Sequence, residues 1–181
     1  MNQNKDDLIY NQNTISKDKW RYGFRSSAAT GCGWIATYNA LRLMGHKAEP
    51  EKLIHYFTWQ VPLINGNMGT FLLGPAIYFK QKGFRTKITA RRKNFDEVVH
   101  NSDVCILFYF WRRKWRIGSH FVTVRFENGK VIGYNTYRNS KGADMLGGSL
   151  EAFVKRQKYF GAVLIGVEDS QACSDFGRKE L

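Results

Sequence analysis

Residues 30–45 read TGCGWIATYNALRLMG, and this stretch decides the fold. Thr30 is suited to the N-cap of a helix, because its hydroxyl can accept from the unpaired N–H groups of the first turn. Gly45 is suited to end that helix, since glycine readily takes the left-handed conformation that follows a last helical turn. Apolar side chains point to nearly every side of the predicted helix, so we expect it to be buried in the core.

The cysteine of this stretch, Cys32, lies in the predicted first turn, where unpaired N–H groups and the helix dipole create a positive potential. Such a position stabilises a thiolate and predicts a lowered thiol pKa. Gly31 and Gly33 leave room for the backbone of another molecule to approach the sulfur. The alternative is an inert cysteine of the core, the commoner role of a buried cysteine. A nucleophilic thiol also needs a base, which the rest of the chain must supply.

The composition indicates one globular domain with a strongly basic surface. The chain has 181 residues, enough for a substantial core, and a formal net charge of +13, which favours acidic partners. Three cysteines, an odd number, argue against a disulfide framework and for a reducing, cytoplasmic compartment. We expect no signal peptide and no membrane span, since no apolar run approaches the ~20 residues that a spanning helix needs.

The pattern along the chain predicts an α+β fold in which helices precede a mostly antiparallel sheet. We expect a mobile polar arm over residues 1–19, one domain over 20–168 and a polar tail over 169–181. Apolar periodicity and turn residues define the individual elements. In chain order they are helices over 30–45, 49–59 and 70–83, a strand over 84–90, a helix over 94–99, strands over 104–111, 118–127 and 130–137, a helix over 149–159 and a strand over 161–167.

A β-hairpin is predicted around the Asn-Gly dipeptide at 128–129, which is typical of two-residue hairpin loops. In that register Val122 lies opposite Asn135, and directly paired side chains share one face of the sheet. The predicted inner face is apolar apart from His120 and Asn135. The opposite face, which carries Thr123 and other polar residues, is expected to be the wetter one.

His120 and Asn135 are diagonal neighbours in this register, about 7–8 Å apart along the backbone and within reach of each other's side chains. An asparagine carbonyl oxygen can accept from one imidazole nitrogen and fix the tautomer, which leaves the other nitrogen for a thiol. Asn139 is the alternative orienting residue if the turn type differs. A core histidine satisfied by an amide is the alternative to catalysis. The other three histidines are expected at solvated helix surfaces.

The order of these residues resembles the papain-like cysteine peptidases: a cysteine at the start of a buried helix, a histidine at the head of a strand and an asparagine at the end of the next strand. Residues 31–34, 69–84 and 118–124 are most similar to the bacterial leader peptidases that process double-glycine leaders. The resemblance covers roughly residues 20–168. It implies a thiol peptidase whose helical part packs on a mostly antiparallel sheet, with the site in the cleft between them.

The resemblance implies that Cys32 is the nucleophile, His120 the general base and Asn135 the residue that orients the histidine. No cofactor is expected, and no Cys/His cluster has the spacing of zinc ligands. The chain departs from the family at one point, because no glutamine that could donate to the oxyanion stands a few residues before Cys32. We expect the Cys32 N–H together with Ser26, Ser27 or another N–H to take that role. This departure leaves open a weak enzyme, another acyl chemistry or a retired enzyme.

Two basic runs, residues 91–93 and 112–116, predict either solvated loops or a surface for acidic peptide or nucleic-acid phosphates. No nucleic-acid-binding motif accompanies them. Cys105 is expected in the core, and Cys173 is expected to be an adventitious thiol of the tail. The residues expected to contact the substrate are Gly31, Gly33, Trp34 and Trp115.

The sequence therefore favours a cysteine peptidase that cleaves a peptide or amide bond in a Gly-containing, acidic substrate. Acyl transfer, deamidation or transglutamination by the same three residues is the first alternative, and the missing glutamine favours it. A catalytically inactive, basic binding module on the same fold is the second alternative, and the net charge of +13 favours it.

Overall fold

The computed structural model describes residues 7–60, 69–113 and 115–170, and it has the predicted α+β architecture. The α-helices of these ranges are α1 (Ser27–Thr30), α2 (Cys32–Leu43), α3 (Pro50–Gln60), α4 (Gly74–Gln81), α5 (Phe95–His100) and α6 (Leu150–Arg156). The strands are β1 (Arg21–Tyr22), β2 (Arg25–Ser26), β3 (Arg85–Thr89), β4 (Val104–Arg113), β5 (Arg116–Glu127), β6 (Lys130–Tyr134), β7 (Asp144–Gly147) and β8 (Gly161–Glu168).

A six-stranded antiparallel sheet organises the molecule, with the strand order β3-β8-β4-β5-β6-β7. β4 was predicted as a buried central strand from its continuous apolar run, and it lies between β5 and β8. α2 packs against β4 and β5 on one face, and α5 packs against the same two strands on the other face, with α6 beside α5. Each face thus carries its own buried apolar cluster.

α2 is buried on nearly every side, as its apolar composition predicts. Residues 33–41 and Leu43 are buried. Gly45 follows the helix with a φ of 86°, and its N–H donates to the carbonyl oxygen of Arg42 at 3.1 Å. The predicted end of the helix at Gly45 is therefore confirmed.

The β5–β6 hairpin has the predicted two-residue turn and register, with Thr123 opposite Tyr134. The predicted inner face is confirmed as core, since Val122 and its neighbours belong to the cluster under α5 and α6. The prediction of a wetter opposite face is wrong. Thr123 is fully buried there, and its hydroxyl donates to the carbonyl oxygen of Ala36 in α2 at 2.9 Å. The cysteine helix covers this face, so polar residues of β5 serve as its anchors.

Part of the predicted polar arm, residues 7–19, makes hydrogen bonds with the domain. The N–H of Ile9 donates to Oδ1 of Asn39, and Nδ2 of Asn39 donates to the carbonyl oxygen of Ile9, both at 2.9 Å. Asn39 is wholly buried within α2, so its amide needs these partners. The polar groups of this segment thus pair with polar groups that are buried in the domain. Residues 1–6 of the predicted arm lie outside the described residues.

The third predicted helix begins later than expected. Thr70 does not cap it, because its hydroxyl lies 3.0 Å from the hydroxyl of Tyr22. α4 begins instead at Gly74, with Pro75 in its first turn, where a missing N–H costs nothing. Gly83 ends the helix with a φ of 85°, as predicted.

β7 was not predicted, because a strand of four residues that begins with an aspartate gives no usable periodicity. It pairs with the outer side of β6. At the other end of the chain, Asp169 and Ser170 still bond to the domain, through the carboxylate of Asp103 and the carbonyl of Gly83. The rest of the predicted tail, residues 171–181, lies outside the described residues.

Candidate active site

Cys32 is the first residue of α2 and follows the one-turn helix α1 and Gly31. Thr30 does not cap α2 as predicted, since it belongs to α1 and its buried hydroxyl makes no hydrogen bond to a described residue. Gly31 occupies the N-cap position and has no side chain to offer. The N–H groups of the first turn therefore have no side-chain cap, and those of Cys32 and Gly33 act to lower the pKa of the thiol.

The two glycines beside the cysteine serve the packing of the protein itself. A Cβ at Gly33 would lie 2.2 Å from Oγ1 of Thr70, and a Cβ at Gly31 would lie 2.6 Å from the carbonyl oxygen of Ser27. Trp34 is fully buried, and its indole N–H donates to the hydroxyl of Ser27 at 3.0 Å. The structure therefore places all three of these expected substrate contacts in the core, and it gives none of them an open surface.

The thiol lies at a gap in the sheet beside β5. β6 leaves β5 after Tyr134, which pairs with Thr123, whereas β5 begins seven residues before Thr123. In an antiparallel ladder every second N–H of β5 faces β6, so the N–H of Phe121 faces the place that β6 has left. This N–H donates to Sγ of Cys32. The start of α2 thus fills the gap where the neighbouring strand ends.

His120 directly precedes Phe121, so the strand that contacts the thiol also carries the imidazole. Nε2 of His120 lies 2.7 Å from the backbone carbonyl oxygen of Asn135. A carbonyl oxygen only accepts, so Nε2 carries the hydrogen of the neutral ring and Nδ1 is the basic nitrogen. The ring of Tyr109, opposite in β4, packs edge-on against the imidazole at a centroid distance of 5.9 Å. Tautomer and orientation of the ring are thereby fixed.

Asn135 meets His120 in a different way from that predicted, because the acceptor is its backbone carbonyl and not its side-chain amide. The side chain points to the N-terminal segment, where Oδ1 accepts from the N–H of Gln12 at 2.8 Å and Nδ2 donates to Oε1 of Gln12 at 3.2 Å. The φ of Asn135 is 60°, a left-handed value that asparagine tolerates better than most residues. Asn139, the alternative orienting residue, is exposed.

Burial determines the protonation of the thiol and the imidazole. It raises the pKa of the Cys32 thiol above its ordinary value, although the N–H groups of Phe121, Cys32 and Gly33 act in the opposite direction. It lowers the pKa of His120, and the hydrogen bond to Asn135 opposes this shift. The predicted lowering of the thiol pKa is therefore wrong, because the sequence shows the helix N-terminus but not the depth of burial. The thiol and the imidazole are therefore both neutral at neutral pH.

Two tyrosines complete the surroundings of the thiol. Burial, with a smaller contribution from repulsion by the charge of Cys32, raises the pKa of Tyr22 to about 12. Burial also raises the pKa of Tyr109, again with a contribution from Cys32. Both phenols are therefore neutral at neutral pH. Nothing in the sequence pattern around either tyrosine predicts this electrostatic interaction with the thiol.

The expected oxyanion donors lie on the approach to α2. The N–H of Cys32 is at the helix N-terminus, where the dipole would stabilise a developing negative charge. Ser26 is half-buried at the start of α1, and its side chain does not cap that helix. The hydroxyl of Ser27 accepts from the indole of Trp34, which holds it in the core. No contact among the described residues brings Ser26 to the thiol.

Gln12 is the residue that sequence reasoning missed most clearly. The resemblance to leader peptidases implies a glutamine a few residues before the cysteine, whereas Gln12 stands twenty residues before Cys32. Its Nε2 donates to the carbonyl oxygen of Ala28 in α1 at 3.1 Å, and its backbone N–H and Oε1 bond to the side chain of Asn135. No local pattern marks such a residue, because every contact that defines it is distant in sequence.

Trp115, the fourth expected substrate contact, is 96% exposed at the tip of the β4–β5 hairpin. It lies five residues from His120 along β5, roughly 17 Å at the usual rise of a strand. Arg112 and Arg116 are also exposed there, and Lys114 of the same basic run lies outside the described residues. Only a distant part of a bound peptide could reach this tip.

The remaining expectations concern the other cysteines, metal binding and membrane spans in the described ranges. Cys105 is a free thiol inside β4, and burial raises its pKa to about 12, whereas Cys173 lies outside those ranges. Within the same ranges no three His, Cys, Asp or Glu side chains come close enough to hold a metal ion. None of the described helices has both the length and the apolar character to cross a membrane.

Comparison with solved structures supports the fold. The peptidase domain of Streptococcus ComA, described as a bifunctional ABC transporter involved in a quorum-sensing pathway, matches with a TM-score of 0.54 and 16% sequence identity. The match covers 78% of this chain and 93% of that domain. No family model and no curated protein matches the sequence. The predicted resemblance is thus confirmed at the level of the fold: this chain has the α+β fold of the ComA peptidase domain.

Proposed function

We propose that this chain is a cysteine peptidase in which Cys32 is the nucleophile, His120 the general base and Asn135 the residue that holds the histidine. One observation carries the proposal: Sγ of Cys32 accepts from the N–H of Phe121, the residue next to a histidine whose Nε2 is held by a carbonyl. The fold, shared with a peptidase domain, supports the same assignment.

The reaction starts from the neutral pair. Nδ1 of His120 takes the thiol proton as Sγ attacks the carbonyl carbon of the peptide, which gives a tetrahedral adduct and an imidazolium. The carbonyl oxygen of Asn135, bonded to Nε2–H, stabilises that imidazolium. Collapse of the adduct breaks the C–N bond, the imidazolium protonates the leaving amine, and a thioester remains on Cys32. Water, deprotonated by His120, then attacks the thioester, and cleavage of the C–S bond releases the acid and restores the thiol.

The oxyanion of the adduct would be bound by the N–H of Cys32 and by the hydroxyl of Ser26. Removing one such donor lowers the rate by about 10²–10³ in other enzymes. Ser26→Ala should therefore lower kcat by at least about 10²-fold and leave KM nearly unchanged. A kcat within twofold of the original would exclude Ser26 and assign the second donor to the backbone.

The substrate is proposed to be a peptide with an acidic segment. No Asp or Glu occurs between Val104 and Phe126, a range that includes all of β4 and most of β5. Arg112 and Arg116 are exposed at the hairpin tip beside Trp115. An acidic segment some distance from the scissile bond would meet this tip. Glycine at the cleaved position is carried over from the resemblance to leader peptidases alone.

The test of the peptidase is a degenerate peptide library incubated with the protein and analysed by mass spectrometry. Cys32→Ala should abolish cleavage, because it removes the nucleophile. Cys105→Ala is the matched control, since it removes a buried thiol from the same sheet and should leave cleavage intact. Cleavage that persists in Cys32→Ala would refute the proposal, and so would the absence of both cleavage and acyl-electrophile labelling of Cys32.

The same incubation in the presence of hydroxylamine separates hydrolysis from acyl transfer. A peptidase gives mainly the free acid, whereas a transferase gives mainly the hydroxamate. The absence of a glutamine a few residues before Cys32 is the observation that keeps acyl transfer as the second candidate. A predominance of hydroxamate at low hydroxylamine concentration would make transfer the better assignment.

The acidic preference is tested with a cleaved peptide that carries Glu or Gln at its remote positions. The double variant Arg112→Gln/Arg116→Gln should raise KM for the Glu peptide several-fold without changing kcat. Lys80→Gln/Lys130→Gln removes the same charge from two other exposed positions and is the control. Equal KM values for both variants would show that only the net charge matters.

A further inference from the structure

We propose that Gln12 is a positioning residue that fixes Asn135, and through Asn135 the imidazole of His120, relative to the cysteine helix. The inference rests on the proposed cysteine peptidase and names a residue that its site requires. Gln12 is a positioning residue and not a catalytic one, because its contacts are with Asn135 and Ala28.

Asn135 is buried, and its side-chain amide depends on Gln12 for its hydrogen bonds. Its side chain belongs to a residue that is 2% exposed, and in the described part of the chain both of its polar atoms bond to Gln12. The N–H of Gln12 donates to Oδ1 at 2.8 Å, and Oε1 of Gln12 accepts from Nδ2 at 3.2 Å. A buried amide is costly to leave unpaired, so Gln12 determines how the side chain of Asn135 lies.

The same side-chain amide of Gln12 also bonds to the helical turn before Cys32. Nε2 of Gln12 donates to the carbonyl oxygen of Ala28 at 3.1 Å, and Ala28 belongs to the helical turn that leads into Cys32. One amide therefore connects the turn that holds the histidine with the turn that precedes the nucleophile. The two turns are far apart in sequence, since Ala28 and Asn135 are 107 residues apart.

Gln12 is itself held in place by the residue before it. It begins a short 3₁₀ turn over Gln12–Thr14, which Asn11 caps by accepting from the N–H of Asn13 at 3.0 Å. Nδ2 of Asn11 donates to the carbonyl oxygen of Arg138 at 2.7 Å, and Asn11 is buried. The N-terminal segment is thus anchored to the domain at the residue directly before Gln12.

The consequence concerns the carbonyl that holds His120. Without the amide of Gln12, Nδ2 of Asn135 would be unpaired in the interior, and Asn135 would rotate to find a partner. Its backbone carbonyl would then move away from Nε2 of the histidine. A displacement of about 1 Å in a reacting group can cost about 10²-fold in rate.

The experiment compares three variants. Gln12→Met keeps the length of the side chain and removes its polar end. Gln12→Glu keeps an acceptor for Nδ2 of Asn135 and is the conservative rescue. Asn13→Ala changes an exposed residue of the same 3₁₀ turn and is the matched control. The readouts are kcat and KM on a peptide cleaved by the unmodified protein, and the NMR titration of the His120 ring, assigned with His120→Gln.

Gln12→Met should lower kcat by about 10- to 100-fold with little change in KM. It should also move the His120 titration to lower pH, because the hydrogen bond to Asn135 raises that pKa and would be weakened. Gln12→Glu should titrate at or above the original pH, and Asn13→Ala should change neither readout. A merely structural role would not move the titration of a histidine that Gln12 does not touch.

The proposal is overturned if Gln12→Met leaves both kcat and the His120 titration unchanged. It is equally overturned if Asn13→Ala reproduces the changes, because the effect would then belong to the turn as a whole. If Gln12→Met does not fold, the titration of Gln12→Glu decides, and a shift to lower pH contradicts the proposal. The titration needs no substrate, so it tests Gln12 even if no peptide is cleaved and the proposed peptidase fails.

Discussion

Replacing Gly33 by alanine should destabilise the protein by about 1–3 kcal/mol, although alanine is the better helix former. The added Cβ would lie 2.2 Å from Oγ1 and 2.3 Å from Cβ of Thr70. Thr70 is 6% exposed, and its hydroxyl lies 3.0 Å from that of Tyr22, so it cannot turn aside without breaking this hydrogen bond. Overpacking costs about 1–3 kcal/mol and a lost hydrogen bond about 1, whereas the gain in helix propensity is about 0.5–1.

Urea unfolding measures this cost, as a lower midpoint at an unchanged m-value. Gly142→Ala is the control, since no atom lies within 4 Å of its added Cβ, and it should stay within about 0.5 kcal/mol of the original. In a Thr70→Gly background the clash is gone, so Gly33→Ala should there be neutral or stabilising by up to about 1 kcal/mol. The double-mutant cycle isolates the contact between the two positions.

An unchanged midpoint for Gly33→Ala would refute the packing described for the start of α2. If Gly33→Ala lowers the free energy of unfolding equally in the original and in the Thr70→Gly background, the clash is with a residue other than Thr70. The same cycle separates two roles of Gly33, which lies next to the proposed nucleophile Cys32. If the Thr70→Gly/Gly33→Ala protein regains stability but cleaves no peptide, Gly33 has the substrate role that the sequence predicts after all.

Three further measurements test the fold around the site. His120→Gln should flatten the fall in stability between pH 7 and pH 5. The lowered pKa keeps the native histidine neutral, so its contribution to stability is present above the unfolded-state pKa of about 6.5 and is lost below it. Equal slopes of unfolding free energy against pH in urea titrations of the two proteins would contradict this. Thr123→Val should cost about 1 kcal/mol in urea unfolding, because the bond to Ala36 that anchors α2 on β5 is lost, and a neutral result would show that this anchor contributes nothing. Ser149→Ala should cost about 1 kcal/mol, since the hydroxyl caps α6 and also bonds to Asp96 at 2.6 Å, and an unchanged thermal midpoint would show that α6 does not depend on its cap.

Local sequence patterns predict those parts of the fold that depend on residues close together in sequence. The apolar run of 104–111 predicts a buried strand because it is short for a helix and rich in β-branched and aromatic residues. The Asn-Gly turn fixes the register of the hairpin, and this register brings His120 and Asn135 close together. Both inferences need only residues that lie within about twenty positions of each other.

The rest depends on contacts between distant segments, which periodicity does not encode. Thr123 looks like a solvent-facing residue until α2 is placed over it, 87 residues away in sequence. The hydrogen bonds of the N-terminal segment with Asn39 and Asn135 also depend on residues that are distant in sequence and buried in the fold. The pKa of Cys32 depends in the same way on how deeply the helix start is covered, and that depth is a property of the whole fold.

The turn at Asn135 explains why the candidate site lies where it does. Its left-handed φ of 60° ends β6, and the end of β6 leaves the N–H of Phe121 without a strand partner. A buried N–H needs an acceptor, and the thiol of Cys32 supplies it. The same turn presents its carbonyl oxygen to Nε2 of His120, so that Nδ1 is the basic nitrogen. A single change of backbone direction thus places the sulfur, selects the tautomer of the imidazole and creates the demand for an amide partner that Gln12 meets.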